Sequence, residues 1–300
     1  MNTEVSICIA THRRPHLLQR LLTSILEQVD APIYEVIIVD NDAARSAEPV
    51  AERFRQQLPL RYLVEPTRGL SRVRNRLVSE SRAKYLAFID DDHCAAPRWL
   101  ASHYRIAIQT QAAAVIGSTD YVFDDGVPDF IRNCKFFINR PCADGERLPW
   151  FVGTTANCLI RRDTLPTSDP FSSEFDLTGG EDVDLFFRMA EAGALIVACD
   201  HANTISYHPV SRANLYWCVR RAFRIGGTSF EVAHRRDNWL RKLQIGAVAA
   251  VTGVRSGIGA IWVWPSNKTI GMRRLLRANE QFGLVARLCG IRIQEYRHHH

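Results

Sequence analysis

Three consecutive carboxylates, Asp90, Asp91 and Asp92, close the run YLAFIDDD that begins at Tyr85. The apolar stretch before them reads as a strand buried on both faces. Side chains alternate along a strand, so Asp90 and Asp92 leave it on the same side. Two close carboxylates repel, and one takes up a proton unless a cation lies between them. A divalent ion, Mg²⁺ or Mn²⁺, that holds a phosphorylated substrate satisfies both groups. Ligands of open α/β sheets bind just past the carboxyl ends of the strands. For this segment alone, a solvated acidic turn is the plain alternative.

Three further segments place polar groups at the ends of buried elements: Thr11-His12-Arg13-Arg14, Asp40-Asn41-Asp42, and RGLSRVRN from Arg68 to Asn75. Acceptors such as Asp40 can take hydrogen bonds from a ribose or base, and cations such as Arg74 can pair with a diphosphate. Helix capping by Thr11 or Asp42 would explain one segment; a nucleotide with its metal would occupy all four. Farther along, Gly179-Gly180-Glu181-Asp182 precedes a helical pattern. Acidic residues there interact well with the helix dipole, while the glycines allow a sugar to approach the backbone. Read alone the segment is equally a helix cap, and the sequence does not show which of Glu181, Asp182 and Asp184 would face a site.

The elements that must position these groups follow from periodicity. Strands are expected over 5–10, 34–40, 60–65, 85–90 and 113–121, with helices over 15–26, 47–57, 70–82 and 97–110. The alternation predicts an α/β fold with a mainly parallel central sheet and helices on both faces. Residues 123–149 read as a mobile excursion and candidate lid. A strand at 155–161, a helix at 181–192 and short strands at 195–199 and 204–208 follow. The chain after Ser211 reads as helical and basic. Residues 243–264 approach the length of a membrane span. However, Arg255 lies near the middle, and Gly246, Gly253, Gly257 and Gly259 weaken one continuous helix. A helix pair packed on the body or lying at a bilayer surface is expected there.

Bulk composition bounds the rest. The 300 residues are 46% hydrophobic and 23% charged, as in an ordinary folded protein. The start, MNTEVSICIA, has no basic leader. None of the eight cysteines forms a CxxC pair, so buried, reduced thiols in a cytosolic protein are expected. From Ser211 onward 16 Lys and Arg face 4 Asp and Glu, a net +12 within a chain of net +6. An acidic body with a basic tail suggests an anionic surface or ligand near the tail. No nucleic-acid motif is visible, and the acidic site opposes a nucleic-acid-binding role. A nucleotidyltransferase could share the carboxylates, but its first loop is usually Gly-rich, whereas this one reads ATHRRP.

In order along residues 4–227, VSICIATHRRP, EVIIVDND, RGLSRVRN, YLAFIDDD, GGEDVDLFFRMAEAG and RRAFRIGG resemble a family 2 glycosyltransferase of the GT-A fold. The nearest likeness is to bacterial glucosyltransferases that extend succinoglycan-type exopolysaccharide repeat units on a lipid carrier. The resemblance implies a GT-A domain over 1–210 and a basic helical extension over 211–300. It assigns Thr11, Arg13, Asp40, Asp42, Arg74, Asp90 and Asp91 to a UDP-sugar, and Asp92 and Asp90 to the metal. His208, in SYHPVSR, matches a late histidine that completes the metal site in some relatives. Asp182 matches the catalytic base, with Glu181 holding a hydroxyl, and Arg221 and Arg224 match residues near the acceptor or diphosphate. The implied partners are a UDP-sugar, a polyprenyl-diphosphate-linked saccharide and an anionic membrane surface, on the cytoplasmic face. His12 and Arg13 depart from a common Tyr-Asn pair, and Arg68 from a frequent Asn.

Overall fold

A computed structural model describes residues 3–137 and 143–293. Cys142, expected as a reduced thiol, and the terminal histidines lie outside the described residues. The strands are β1 (Val5–Thr11), β2 (Tyr34–Asp40), β3 (Leu60–Val64), β4 (Tyr85–Ile89), β5 (His93–Ala95), β6 (Ala114–Phe123), β7 (Asn157–Arg161) and β8 (Ile196–His208). The helices are α1 (Pro15–Leu26), α2 (Glu48–Phe54), α3 (Leu70–Glu80), α4 (Trp99–Thr110), α5 (Asp129–Arg132), α6 (Glu181–Glu191), α7 (Leu215–Ala233), α8 (Trp239–Val263) and α9 (Lys268–Leu288).

The eight strands form one sheet in the order β3-β2-β1-β4-β7-β6-β8-β5. The first four pair in parallel, and β7 then joins β4 antiparallel. Alternate side chains of the parallel strands enter separate cores. Ile7, Ile9, Val36, Ile38, Ala87 and Ile89 pack with Leu18, Leu21, Leu22 and Ile25 of α1. Cys8, Ile37, Val39, Leu86 and Phe88 pack with Val73 and Leu77 of α3 and with Leu185, Phe186 and Met189 of α6. Both faces are thus covered, which explains the unbroken burial of β4.

The chain divides into two compact units. One holds residues to Asp120, Asn139–Leu177 and Glu181–Ser206; the other holds Tyr121–Ile138, Thr178–Gly180 and Tyr207 onward. The segment read as one loose excursion is therefore divided. Its first part forms α5 and packs Val127, Ile131, Cys134 and Phe137 into the core of the second unit. Its last part hydrogen-bonds β8 through Gly145 N–H to Ala198 and Leu148 N–H to Ile196, both at 2.9 Å. Residues 138–142 lie outside the described residues. The strands expected at 195–199 and 204–208 are one strand, β8.

In the second unit, the expected helix pair over 243–264 is instead one continuous helix of 25 residues, α8. Its glycines do not break it because they face α9. A Cβ at Gly246 would strike Leu288, and one at Gly253 would strike the Phe282 ring. Helix propensity penalises these residues, but close packing of two helices requires them.

Asn157, the first residue of β7, is a buried polar centre. Its Oδ1 accepts from the Trp99 indole N–H at 2.7 Å and lies 2.9 Å from His103 Nε2, while its amide donates to the carbonyls of Ser118 and Ala202. Asn157→Ala is predicted to lower unfolding stability by about 3 kcal/mol in urea denaturation, because buried donors and acceptors lose partners. Burial holds the His103 imidazole down to about 4, against the raising effect of its Asn157 bond, from an ordinary 6.5. Between pH 6.5 and 4 the unfolded chain then binds more protons, so stability rises with pH across that window and is lost as pH drops toward 4. A His103→Gln variant should show a flatter stability curve over this range. A curve as steep as the parent's would contradict the assignment.

Candidate active site

Parallel pairing brings the carboxyl ends of β1, β2 and β4 to one edge, where Thr11 stands opposite Asp40 in register. Asp91 turns inward there. The Thr11 hydroxyl donates to its Oδ2 at 2.8 Å, and Arg14 Nη1 lies 3.4 Å from its Oδ1 and 3.7 Å from Asp92 Oδ2. Burial lifts the Asp91 carboxyl to about 7; Asp92 adds to the rise, and Arg14 and Thr11 oppose it. Asp91 therefore ties the first loop to the end of β4. Arg14 faces the acidic triplet, while Arg13 is 70% exposed and lies 3.4 Å from Asp42.

Asp40 also faces inward and is fully buried. Its carboxylate accepts from the N–H groups of Asp42 and Ala47, each at 3.0 Å, and from the Tyr62 hydroxyl at 2.7 Å. Burial first, and then Asp40, push the Tyr62 hydroxyl well above its ordinary value. Asp40 shapes the loop that carries Asp42. Between them, Asn41 donates to the carbonyls of Glu65 and Thr67 and accepts from Gly69 N–H. Asp176 accepts from Ser71 N–H at 3.0 Å in the first turn of α3. Gly69, at φ +149°, is required beside it, because a Cβ would meet the Asp176 carboxyl. Sequence reading missed Asn41 and Asp176. Asn41 stood within a quoted motif, but Asp176 carried no local signal.

The decisive contact comes from α3. Arg74 is buried; one guanidinium nitrogen pairs with Glu181, another lies 3.4 Å from Asp90 Oδ1, and the cation sits 5.8 Å from the Phe171 ring centre. The end of β4 and the start of α6 are thus brought together. Burial first raises the nearby Cys158 thiol; Arg74 opposes this, and Asp182 and Asp90 reinforce it, so all three charges act on one point. Asp182 remains partly exposed and accepts from Val183 N–H at 2.8 Å. Asp184 is fully buried and pairs with Arg188 at 2.8 Å, which removes it as an alternative base.

Asp90 and Asp92 fit a divalent ion by their chemistry. Burial first, then Asp90, raise the Asp92 carboxyl, while His93 and Arg14 oppose the shift. A cation between them relieves that repulsion, and Mg²⁺ commonly binds one or two carboxylates plus substrate phosphates. Among the described residues no three His, Cys, Asp or Glu side chains are grouped to hold a metal. In the second unit, the His208 ring packs 5.0 Å from Phe137, 5.3 Å from Tyr121 and 5.9 Å from Phe123. Arg224 there donates to the Thr178 carbonyl at 3.3 Å, and Arg221 lies 5.0 Å from the Trp217 ring centre.

Residues 6–166 match the model of the family described as Glycosyl transferase family 2. The chain belongs to this family. The glycosyltransferase is 31% identical over 298 residues to the succinoglycan biosynthesis protein ExoM of Rhizobium meliloti (strain 1021), covering 97% of this chain and 95% of that protein. Its fold is similar to that of the mannosyltransferase PcManGT of Pyrobaculum calidifontis, solved with GDP-Man and Mn²⁺ (TM-score 0.65, 16% identity, 94% and 87% of the two chains). It is also similar to S. aureus TarS 1–349 in complex with UDP-GlcNAc (TM-score 0.58, 17% identity, 92% and 90%). The expected GT-A fold is present, and family membership sets aside the nucleotidyltransferase reading.

Removing one partner of a buried ion pair leaves an unpaired charge and costs about 3–5 kcal/mol, whereas replacing both is often near neutral. Arg74→Met should therefore destabilise the glycosyltransferase by a few kcal/mol in urea denaturation, and Arg74→Met/Glu181→Leu should recover most of that loss. Additive losses in the double variant would contradict a direct pair.

Proposed function

We propose that this glycosyltransferase moves a hexose, with glucose the first choice, from a UDP-sugar to a polyprenyl-diphosphate-linked saccharide with inversion at the anomeric carbon. The observation that carries this reading is the Arg74 bridge between Asp90 and Glu181. It brings the acidic strand end, suited to a diphosphate, to the helix start that supplies a carboxylate base. Likeness to the succinoglycan biosynthesis protein favours an exopolysaccharide acceptor on a lipid carrier, used at the cytoplasmic face of a membrane.

The residues divide the work as follows. Thr11, Arg13 and Asp42 line the loops at the sheet edge where the uridine binds, and Asp40 and Asp91 hold those loops in shape. Asp90 and Asp92 would hold a Mn²⁺ or Mg²⁺ ion, which when bound supplies charge neutralisation for the diphosphate. Arg74 presents a desolvated cation to the same leaving group. Asp182, at the start of α6 and partly exposed, takes the proton from the acceptor hydroxyl as that oxygen attacks the face opposite the leaving group. Glu181 is held by Arg74 and orients this turn. The resemblance also implies His208 as a further ligand, and Arg221 and Arg224 as contacts to the acceptor or its diphosphate.

Asp182→Asn should reduce transfer from UDP-glucose at least 100-fold while UDP still binds with near-parent affinity, measured by product mass and by calorimetry. Asp92→Ala should weaken metal-dependent donor binding at least tenfold. Full transfer activity in either variant, on a donor panel with a synthetic lipid-linked acceptor, would overturn the assignment.

A further inference from the structure

Helix α8 has two unlike faces. Gly246, Ala249, Gly253 and Ala260 are buried, and the contacts of Gly246 and Gly253 are with Leu288 and Phe282 of α9. On the other side, Val248, Val251, Val254, Ile258 and Ile261 recur at three- and four-residue spacing, with Leu240 on the same face eight residues before Val248, and all are more than half exposed. Trp239 and Trp262, 67% and 81% exposed, stand at the two ends of the helix. An exposed apolar face of this length, broken only by Arg255 along its side, marks a docking site.

The charge beside this face identifies its occupant. A cleft of about 440 Å³ between α8 and α9 is lined by Thr252, Arg255, Ser256, Arg274 and Arg277. It offers three guanidinium groups and two hydroxyls, a set suited to phosphate oxygens. Helix α8 carries three cations and no acidic residue, and α9 carries five cations against Glu280 alone. An apolar helix face with a cationic edge and terminal tryptophans matches a helix lying in the plane of a bilayer interface.

We propose that α8 seats the protein on an anionic phospholipid bilayer, lying parallel to its plane, with lipid phosphate held in the Arg255–Arg274–Arg277 cleft. The length and composition of α8 also suit a span. A span would carry Arg255 into the hydrocarbon, and a hairpin with α9 would carry Arg273, Arg274 and Arg277 as well. This inference rests on the proposed use of a membrane-borne acceptor, and it gives that acceptor's surface a defined landing face.

The test is flotation of the full chain with phosphatidylcholine vesicles, with and without phosphatidylglycerol, beside UDP release to a soluble short-chain acceptor. Binding should need phosphatidylglycerol, and alkaline high-salt washing should release the protein. Arg255→Gln/Arg274→Gln/Arg277→Gln should weaken partitioning at least tenfold, as should Val251→Glu/Ile258→Glu. Circular dichroism and UDP release to the soluble acceptor should remain at the parent level in both variants. Equal binding to neutral vesicles, retention after alkaline washing, or no binding with intact UDP release would each overturn the seat while leaving the proposed reaction standing. A dimer lost in Val251→Glu/Ile258→Glu, without vesicle binding, would assign the face to a second copy and also overturn it. Loss of UDP release in the parent protein, with vesicle binding retained, would instead overturn the reaction and support the seat.

Discussion

One buried guanidinium holds the polar groups at the sheet edge of the first unit together. Arg74 reaches from α3 to Asp90 at the end of β4 and to Glu181 at the start of α6. A buried cation is tolerated only when paired, and a buried carboxylate needs the same compensation. The Arg74–Glu181 pair therefore fixes where α6 begins relative to the sheet, and with it the position of Asp182. The aromatic ring of Phe171 covers the cation on another side. The position of the carboxylate proposed as base thus depends on an interaction that makes no proton transfer itself.

The same principle governs the loops. Asp40 and Asp91 each spend their oxygens on the protein: Asp40 on Asp42, Ala47 and Tyr62, and Asp91 on Thr11 and Arg14. Asp42 is buried as well and is held by Ala44 N–H and Arg13, so Asp90 and Asp92 are the more exposed carboxylates of these loops. The acidic triplet lies in the turn that follows β4, where one Arg14 nitrogen reaches both Asp91 and Asp92. The buried pairs make these loops a rigid support, and burial, then the closeness of Asp90, raises the Asp92 carboxyl.

The parallel half of the sheet was legible because β1, β2 and β4 are apolar on both faces and alternate with amphipathic helices. The motif positions were legible as strand ends, since Thr11 and Asp40 close β1 and β2 in register and Asp90 directly follows β4. Direction was not legible: whether Asp40 faces a ligand or Tyr62 depends on a partner 22 residues away. Asp176 caps α3 from 105 positions beyond Ser71 and has no local signature. The glycines of α8 misled for a related reason. Their propensity argues against a long helix, but the partner α9 decides the outcome, and that contact is written in no single segment. The excursion after β6 read as one mobile segment, yet its described parts pack into different units.

The most direct measurement is a structure of the protein with UDP-glucose and Mn²⁺. The diphosphate should lie beside Asp90 and Asp92, within hydrogen-bonding reach of Arg74 at about 3 Å. Asp182 should face the side of the anomeric carbon opposite the diphosphate, with room for one hydroxyl between them. A nucleotide bound away from this edge, or Asp182 turned from the sugar while Arg74 still joins Asp90 to Glu181, would contradict the account.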